Sequence, residues 1–312
     1  MVKRLVESKA KSDVSAVRAV VLLLCFSASV GYATEPFPLS WPAHLKIPRG
    51  EIVELKIYGE GLSSVQGRWA NGNLPFYALA PGSFAAIIGV DLEAKPGVSK
   101  ITITATNDAG RQRRAETIVQ TLSKAFRQES FTVAPGFDQL SPEAVELIRI
   151  ERADFALAFA TPAAERFWEA PFIRPVPQES SSSFGYRRII NGKPRAPHTG
   201  ADLRAPVGTE VLAANHGRVV LTGNYFFAGQ SIVLDHGSGL YTMYFHLSEF
   251  KVDAGVMVRR GDVIALSGMS GRVTGPHLHW AARLGNARID PMELIQKVSI
   301  GQSQQPGSAI GN

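Results

Sequence analysis

Between residues 38 and 122 the chain changes from apolar to polar and back every one or two positions. The runs EIVELKIYG (51–59), FAAIIGV (84–90), KITITAT (100–106) and AETIVQT (115–121) alternate or stay apolar throughout, and clusters of Gly, Pro and Asn separate them. Short runs rich in β-branched residues and bounded by turn formers predict strands, because successive strand side chains point to opposite faces. NDAG at 107–110, between two such runs, predicts a hairpin. Residues 34–124 are therefore expected to form a β-sandwich of the immunoglobulin-like kind. The aromatic stretch GRWANGNLPFY (67–77) is read as half-buried strand residues, since aromatics are enriched in strands.

The pattern changes at Ser141. SPEAVELIRIERADFALAFA (141–160) offers Ser141 as an N-cap and Pro142 as the first helical residue, and TPAAERFW from Thr161 repeats that opening. Val145, Ile148, Phe155 and Phe159 follow helical spacing only approximately, which predicts two short helices rather than one long one. PFIRPVPQESSSS (171–183) reads as a Pro/Ser linker that completes a helical connector over 125–183. Beyond it GTEVLAA, GRVVLTG, QSIVLDHGSG, YTMYFHL, GDVIALSG and HLHWAARL are short strands with glycine turns, which predicts an antiparallel sheet or flattened barrel over 184–297. Residues 298–312 are a polar, low-complexity tail. The fold class is mainly β, and a fragment from residue 180 onward is expected to fold by itself.

Composition narrows the classes of function. A chain of 312 residues, 45% hydrophobic and 19% charged, fits two globular domains and excludes a disordered, collagen-like or multi-span membrane protein. The pI of about 9.5 would suit a nucleic-acid partner, but much of the basic charge sits at the start. Residues 1–33 read as a secretory signal: Lys3, Arg4, Lys9, Lys11 and Arg18 precede the apolar run AVVLLLCFSASV, and GYA is a small-x-small cleavage site. The run falls short of the roughly 20 apolar residues that span a bilayer, so no stable membrane anchor is expected after cleavage. The mature chain would hold 28 basic against 25 acidic residues, and nucleic acid drops out as a partner. The only cysteine, Cys25, lies inside the apolar run. A mature chain without a thiol suits an oxidising compartment and excludes cysteine catalysis, cysteine metal ligands and disulfides.

Of seven histidines, six fall in the last 115 residues. In TGPHLHW (274–280), His277 and His279 stand at i and i+2 of a strand and share a face, with Leu278 and Trp280 on the core side. In APHTGADL, His198 stands four residues before Asp202. Imidazole and carboxylate both ligate Zn²⁺, and a catalytic zinc takes three protein ligands and leaves one position open. His198, Asp202 and one of His277 or His279 would complete that set, leaving the other, and His246 in TMYFHLS, free for proton transfer. Two histidines and a carboxylate also suit non-haem iron, which needs a cosubstrate and a reducing compartment.

The ordered combination of H-x-x-x-D, a mid-domain histidine and H-x-H over about 184–295 resembles the lysostaphin-type (LytM-like) zinc metallopeptidases that cut peptidoglycan. The resemblance implies His198, Asp202 and His279 as zinc ligands and His246 and His277 as catalytic histidines. It implies peptidoglycan stem peptides as substrate, a D-alanyl–meso-diaminopimelate cross-link as the bond, and export across the inner membrane to a Gram-negative periplasm. Some relatives have lost ligands and only activate an amidase; none of the five residues is replaced here. A zinc N-acetylmuramoyl-L-alanine amidase is the other alternative. The N-terminal region is left to position or regulate the catalytic domain, and is where a regulatory partner would act. Gly200, Gly217, Gly261 and Gly271 are expected in turns, as is Asp262, and His216 and His236 at solvated strand ends; His44 has no role. Thr274 and Pro276 are expected to shape the approach to H-x-H, and Asp290-Pro291 to open a terminal helix. Some relatives use a tyrosine to stabilise the transition state, and Tyr186 and Tyr225 are the two candidates for that place.

Overall fold

The run FAAIIGV has no polar member because the strand it forms is covered on both faces. The computed structural model describes residues 37–70, 72–132, 140–169, 171–178 and 183–298. The signal and tail segments lie outside these residues, apart from Val298. The first eight strands are β1 (His44–Pro48), β2 (Ile52–Tyr58), β3 (Leu62–Trp69), β4 (Gly72–Leu74), β5 (Tyr77–Ala80), β6 (Ser83–Gly89), β7 (Gly97–Asn107) and β8 (Gln112–Leu122). They form a five-stranded sheet, β1-β8-β7-β3-β4, and a three-stranded sheet, β2-β6-β5. Leu55, Ile57, Ala86 and Ile88 of the smaller sheet meet Ile101, Ile103, Ala115 and Val119 of the larger in one core, so two sheets pack face to face. NDAG does turn β7 into its antiparallel neighbour β8.

On the other face of the small sheet Ile52, Tyr77, Ala85 and Ile87 belong to a second core, whose remaining members come from residues 168–298. A strand buried on both sides reads as a continuous apolar run, as parallel-sheet strands do. Asp91 and Arg288 reinforce this junction with two side-chain bonds of 2.7 and 2.9 Å, and Lys297 reaches Glu51 at 2.9 Å. The two halves share this second core.

The connector departs from expectation. Residues 142–160 form one 19-residue helix, α1 (Pro142–Ala160), after β9 (Gln128–Phe131). Ser141 caps it as expected, its Oγ accepting from the Ala144 N–H at 3.2 Å. No Gly or Pro interrupts residues 143–160, and Ala, Leu, Glu and Arg carry the helix. The apolar spacing is loose because the helix meets the body along a narrow edge: Phe155, Ala158 and Phe159 pack against it, and Ile148 is its buried residue. TPAAERFW forms no helix. Its backbone is tied across to the strand 229–237, with Ala163 N–H donating to Asp235 Oδ2 at 2.9 Å and Phe167 N–H to the His236 carbonyl at 2.8 Å. Residues 171–178 are likewise a packed strap: Phe172 and Val176 are buried, Ile173 N–H donates to Ala214 O, and Pro175 O accepts from Leu212 N–H.

The C-terminal half contains β10 (Arg187–Ile190), β11 (Lys193–Pro194), β12 (Gly200–Leu203), β13 (Glu210–Leu212), β14 (Gly217–Tyr225), β15 (Gly229–Gly237), β16 (Leu240–Phe250), β17 (Met257–Val258), β18 (Val263–Ser267), β19 (Leu278–Leu284), β20 (Ala287–Ile289) and α2 (Pro291–Lys297). β11, β10 and β9 make a three-stranded sheet; the rest form a nine-stranded sheet along β12-β19-β16-β15-β14-β17, with β13, β18 and β20 attached. Asp290 caps α2 through Met292 N–H at 3.0 Å, as Asp-Pro predicts.

His236 is not at a solvated strand end. It is fully buried, its Nδ1–H donating to His216 O at 2.7 Å and its Nε2 lying 2.7 Å from Thr242 Oγ1, while His216 stays part-exposed. Burial pulls its pKa down to about 4, against the opposing bond to His216 O. The unfolded imidazole titrates at about 6.5, so the unfolded chain takes up the proton first. This contribution is intact above about pH 6.5 and is lost as pH falls toward 4, a loss of about 3 kcal/mol. Denaturant midpoints should fall across that window, and His236→Gln should flatten the slope; an unchanged slope in the variant would assign the effect to other groups.

Candidate metal centre and cleft

Three neighbouring strands set the site. β12 pairs with β19 so that Asp202 stands opposite His279, and β16 pairs with β19 on its other side so that Phe245 also faces His279. His198 lies just before β12 and His277 just before β19. Leu278 and Trp280 are fully buried, so the period-two reading of H-x-H holds.

Asp202 Oδ1 lies 3.0 Å from His198 Nε2 and 2.9 Å from His279 Nδ1, while His277 Nε2 is further away at 3.5 Å. His198, Asp202 and His279 are the group among the described residues whose ligand atoms converge within 4.8 Å. His198 Nδ1 lies 3.0 Å from the Ser183 carbonyl, which only accepts, so Nδ1 carries a hydrogen and Nε2 is the atom turned toward the carboxylate. At this range a cation between the ring nitrogen and the carboxylate, a proton or a metal ion, relieves the repulsion of facing lone pairs. Zinc bonds of 2.0–2.2 Å place tetrahedral ligand atoms roughly 3.3 Å apart, close to the spacing present, so the donor set fits such an ion. Burial alone would raise the Asp202 carboxyl, but the imidazoles of His198 and His279 hold it far below the usual carboxylate range.

His246 and His277 stand beside this group, their rings 4.9 Å apart. Each donates Nδ1–H to a backbone carbonyl, His246 to Ser270 at 3.0 Å and His277 to Gly275 at 2.9 Å, which leaves Nε2 of both available. His246 has φ +62°, where a non-glycine residue is uncommon, within an irregularity in the pairing of β16. Burial, then the neighbouring His279 and His277, lowers its pKa to about 4. The five residues line one cavity of about 470 Å³.

A sequence model of Peptidase family M23 matches residues 196–291. This stretch is an M23 peptidase domain. The chain is 48% identical over 114 residues to the peptidoglycan DD-endopeptidase ShyA of Vibrio cholerae, covering 36% of this chain and 26% of that one. It is 40% identical over 114 residues to the DD-carboxypeptidase/endopeptidase Mpg of Neisseria meningitidis, with the same coverage of 36% and 26%. The match thus spans about a quarter of the length of these curated relatives. A solved structure from Pseudomonas aeruginosa assigned to peptidase M23 superposes with TM-score 0.61 at 27% identity, over 80% of this chain and 96% of that one.

Several residues around the M23 site carried no sequence signal. Ser183 holds two site residues, its carbonyl on His198 and its Oγ accepting from Asp202 N–H at 3.0 Å. Phe245 stacks on His279 with ring centroids 5.5 Å apart, and α1 supports it from behind through Phe155. Arg188, Phe227 and Arg272 join the lining, as does Thr274, whereas neither Tyr186 nor Tyr225 does. His216, His236 and His44 stand outside it. Gly261 and Gly271 have positive φ, as turns require, but Gly200 and Gly217 do not.

Gly200 serves close approach instead. A Cβ there would lie 2.6 Å from His279 Nε2 and 2.5 Å from Trp280 O, so no side chain fits beneath the imidazole. Gly200→Ala should therefore tilt His279 and weaken metal binding by roughly tenfold or more, as loss of ligand orientation does. Chelator competition measures this; unchanged affinity with a normal melting temperature would show that the ring has room to yield.

Proposed function

We propose that this chain is a zinc-dependent endopeptidase that hydrolyses the peptide cross-links of peptidoglycan, at the D-alanyl–meso-diaminopimelate bond, in a Gram-negative periplasm. The observation that carries this reading is the convergence of His198 Nε2, Asp202 Oδ1 and His279 Nδ1 next to two further imidazoles that are not part of the convergence. The named activities of the relatives supply the polymer. The complete set of five speaks for catalysis over mere activation of another enzyme.

His198, Asp202 and His279 would hold a divalent ion, which would supply a Lewis acid able to lower the pKa of water toward about 7 and to polarise a carbonyl. The protein does the rest. His246 is neutral at pH 7, so its Nε2 accepts the proton released as water attacks. The proton taken up by His246 is then returned to the leaving amine through Nε2 of His277, whose ring stands 4.9 Å from that of His246 in the same gap. Phe245 and Ser183 hold His279 and His198 in register, limiting reorganisation during the reaction.

Isolated sacculi digested with the protein and then with a muramidase test the reading. Cross-linked dimers should fall and monomers that keep their sugars should rise, with no reaction in the presence of chelator. Free stem peptides lacking sugar would identify an amidase instead.

A further inference from the structure

The remaining wall of the cavity is positively charged. Besides Asp202, the formally charged side chains of the lining are two arginines, Arg188 and Arg272. Arg188 belongs to β10, where neighbouring side chains diverge: Arg187 reaches Glu93 of the sandwich at 3.2 Å, and Arg188 turns to the site. Its Nη2 lies 4.0 Å from Asp202 Oδ2, the oxygen turned away from His198 and His279. That separation is too long for a hydrogen bond, and the Arg188 side chain remains about half exposed, at 46%. Arg272 sits on the loop before β19, its guanidinium 5.8 Å from the Phe227 ring. With Asp202 committed to a metal ion, Arg188 is left facing the cavity beside that centre, with Arg272 on the same lining.

We infer that Arg188, assisted by Arg272, receives a free carboxylate borne by the same carbon as the leaving amine of the substrate. The inference rests on the peptidase reading above and names what that site selects. An amide to the D-centre of meso-diaminopimelate has such a carboxylate, and so does D-alanyl-D-alanine. A cross-link to a lysine side chain has only a methylene there, and an internal glycine bridge has another amide. The planar guanidinium suits bidentate capture of a carboxylate, which a lysine cannot reproduce.

Binding read without turnover tests this. The full chain, loaded with zinc, is titrated calorimetrically with a stem tripeptide ending in meso-diaminopimelate and with the same peptide amidated at the D-centre carboxylate; D-alanyl-D-alanine and its amide form a second arm. The wild type should bind the carboxylate form of the tripeptide roughly tenfold or more tighter, the scale of one charged hydrogen-bonded pair. Arg188→Gln should erase the difference by weakening only the carboxylate form, at unchanged zinc content and melting temperature, and Arg188→Lys should restore part of it. Arg272→Gln should act in the same direction, less strongly. Discrimination in both arms marks a clamp that reads any such D-centre; discrimination with the tripeptide alone ties it to the cross-link. Equal binding of acid and amide by the wild type, or equal loss of both in Arg188→Gln, would overturn the inference and leave Arg188 as a support for Asp202. Failure to cleave sacculi would count against the endopeptidase reading alone.

Discussion

Alanine at His198, Asp202 or His279 is expected to empty the centre of metal and bring turnover to background. Alanine at His246 or His277 should leave metal content near wild type and lower kcat by roughly 10²-fold or more, the scale of a positioned acid–base group. The division follows from geometry: the first three converge on one point, whereas His277 Nε2 stands 3.5 Å from Asp202 Oδ1 and His246 is anchored to Ser270 O. Removing one of three ligands leaves too few for tight binding. Elemental analysis of the five variants beside activity on sacculi separates the groups. Stoichiometric zinc in His279→Ala would refute its assignment, and metal loss in His277→Ala would move the third ligand to the first histidine of H-x-H.

A fragment beginning at residue 180 should lose cooperative folding, against the simple expectation from the sequence. Its core would lack Ile52, Tyr77, Ala85 and Ile87 from the sandwich and Trp168, Phe172 and Val176 from the strap. Burying a large apolar side chain is worth about 1.5–3 kcal/mol, so losing several of them is comparable with a whole domain's net stability of about 5–15 kcal/mol. Dye binding and a broad or absent thermal transition would report the exposed face. Trp168→Ala in the full chain provides a milder test, with an expected loss of about 3–5 kcal/mol. A fragment that melts cooperatively at the temperature of the full chain would show the shared core to be dispensable.

The candidate site was legible because its geometry repeats the sequence period. H-x-H on a strand fixes two side chains on one face, and antiparallel pairing with the strand after His198 sets Asp202 opposite His279. His246 was legible in its stretch TMYFHLS, but nothing local foretold how it reaches the cleft: a strand irregularity and a left-handed backbone angle, neither encoded by a glycine, aim it there. Ser183 read as the end of a linker, and its grip on His198 is a tertiary event with no local pattern. The same holds for TPAAERFW, where bonds to β15 override a good helix start. The unbroken apolar run at 84–90 reads only as one strand of the sandwich, and its cover on both faces emerges from the structure. The second cover lies some two hundred residues along the chain, beyond any local window.

That distance bears on how the chain folds. Asp91 meets Arg288 across 197 positions and Glu51 meets Lys297 across 246. Contacts of such long sequence separation form slowly, because loop closure must be achieved before they stabilise anything. While the chain emerges from the ribosome, the sandwich can assemble, but one face of β2 and β6 stays wet until α2 and β20 arrive. Native structure is thus withheld until the last stretch has been synthesised, leaving a long interval in which the polypeptide can be kept unfolded, captured by a chaperone or lost to aggregation.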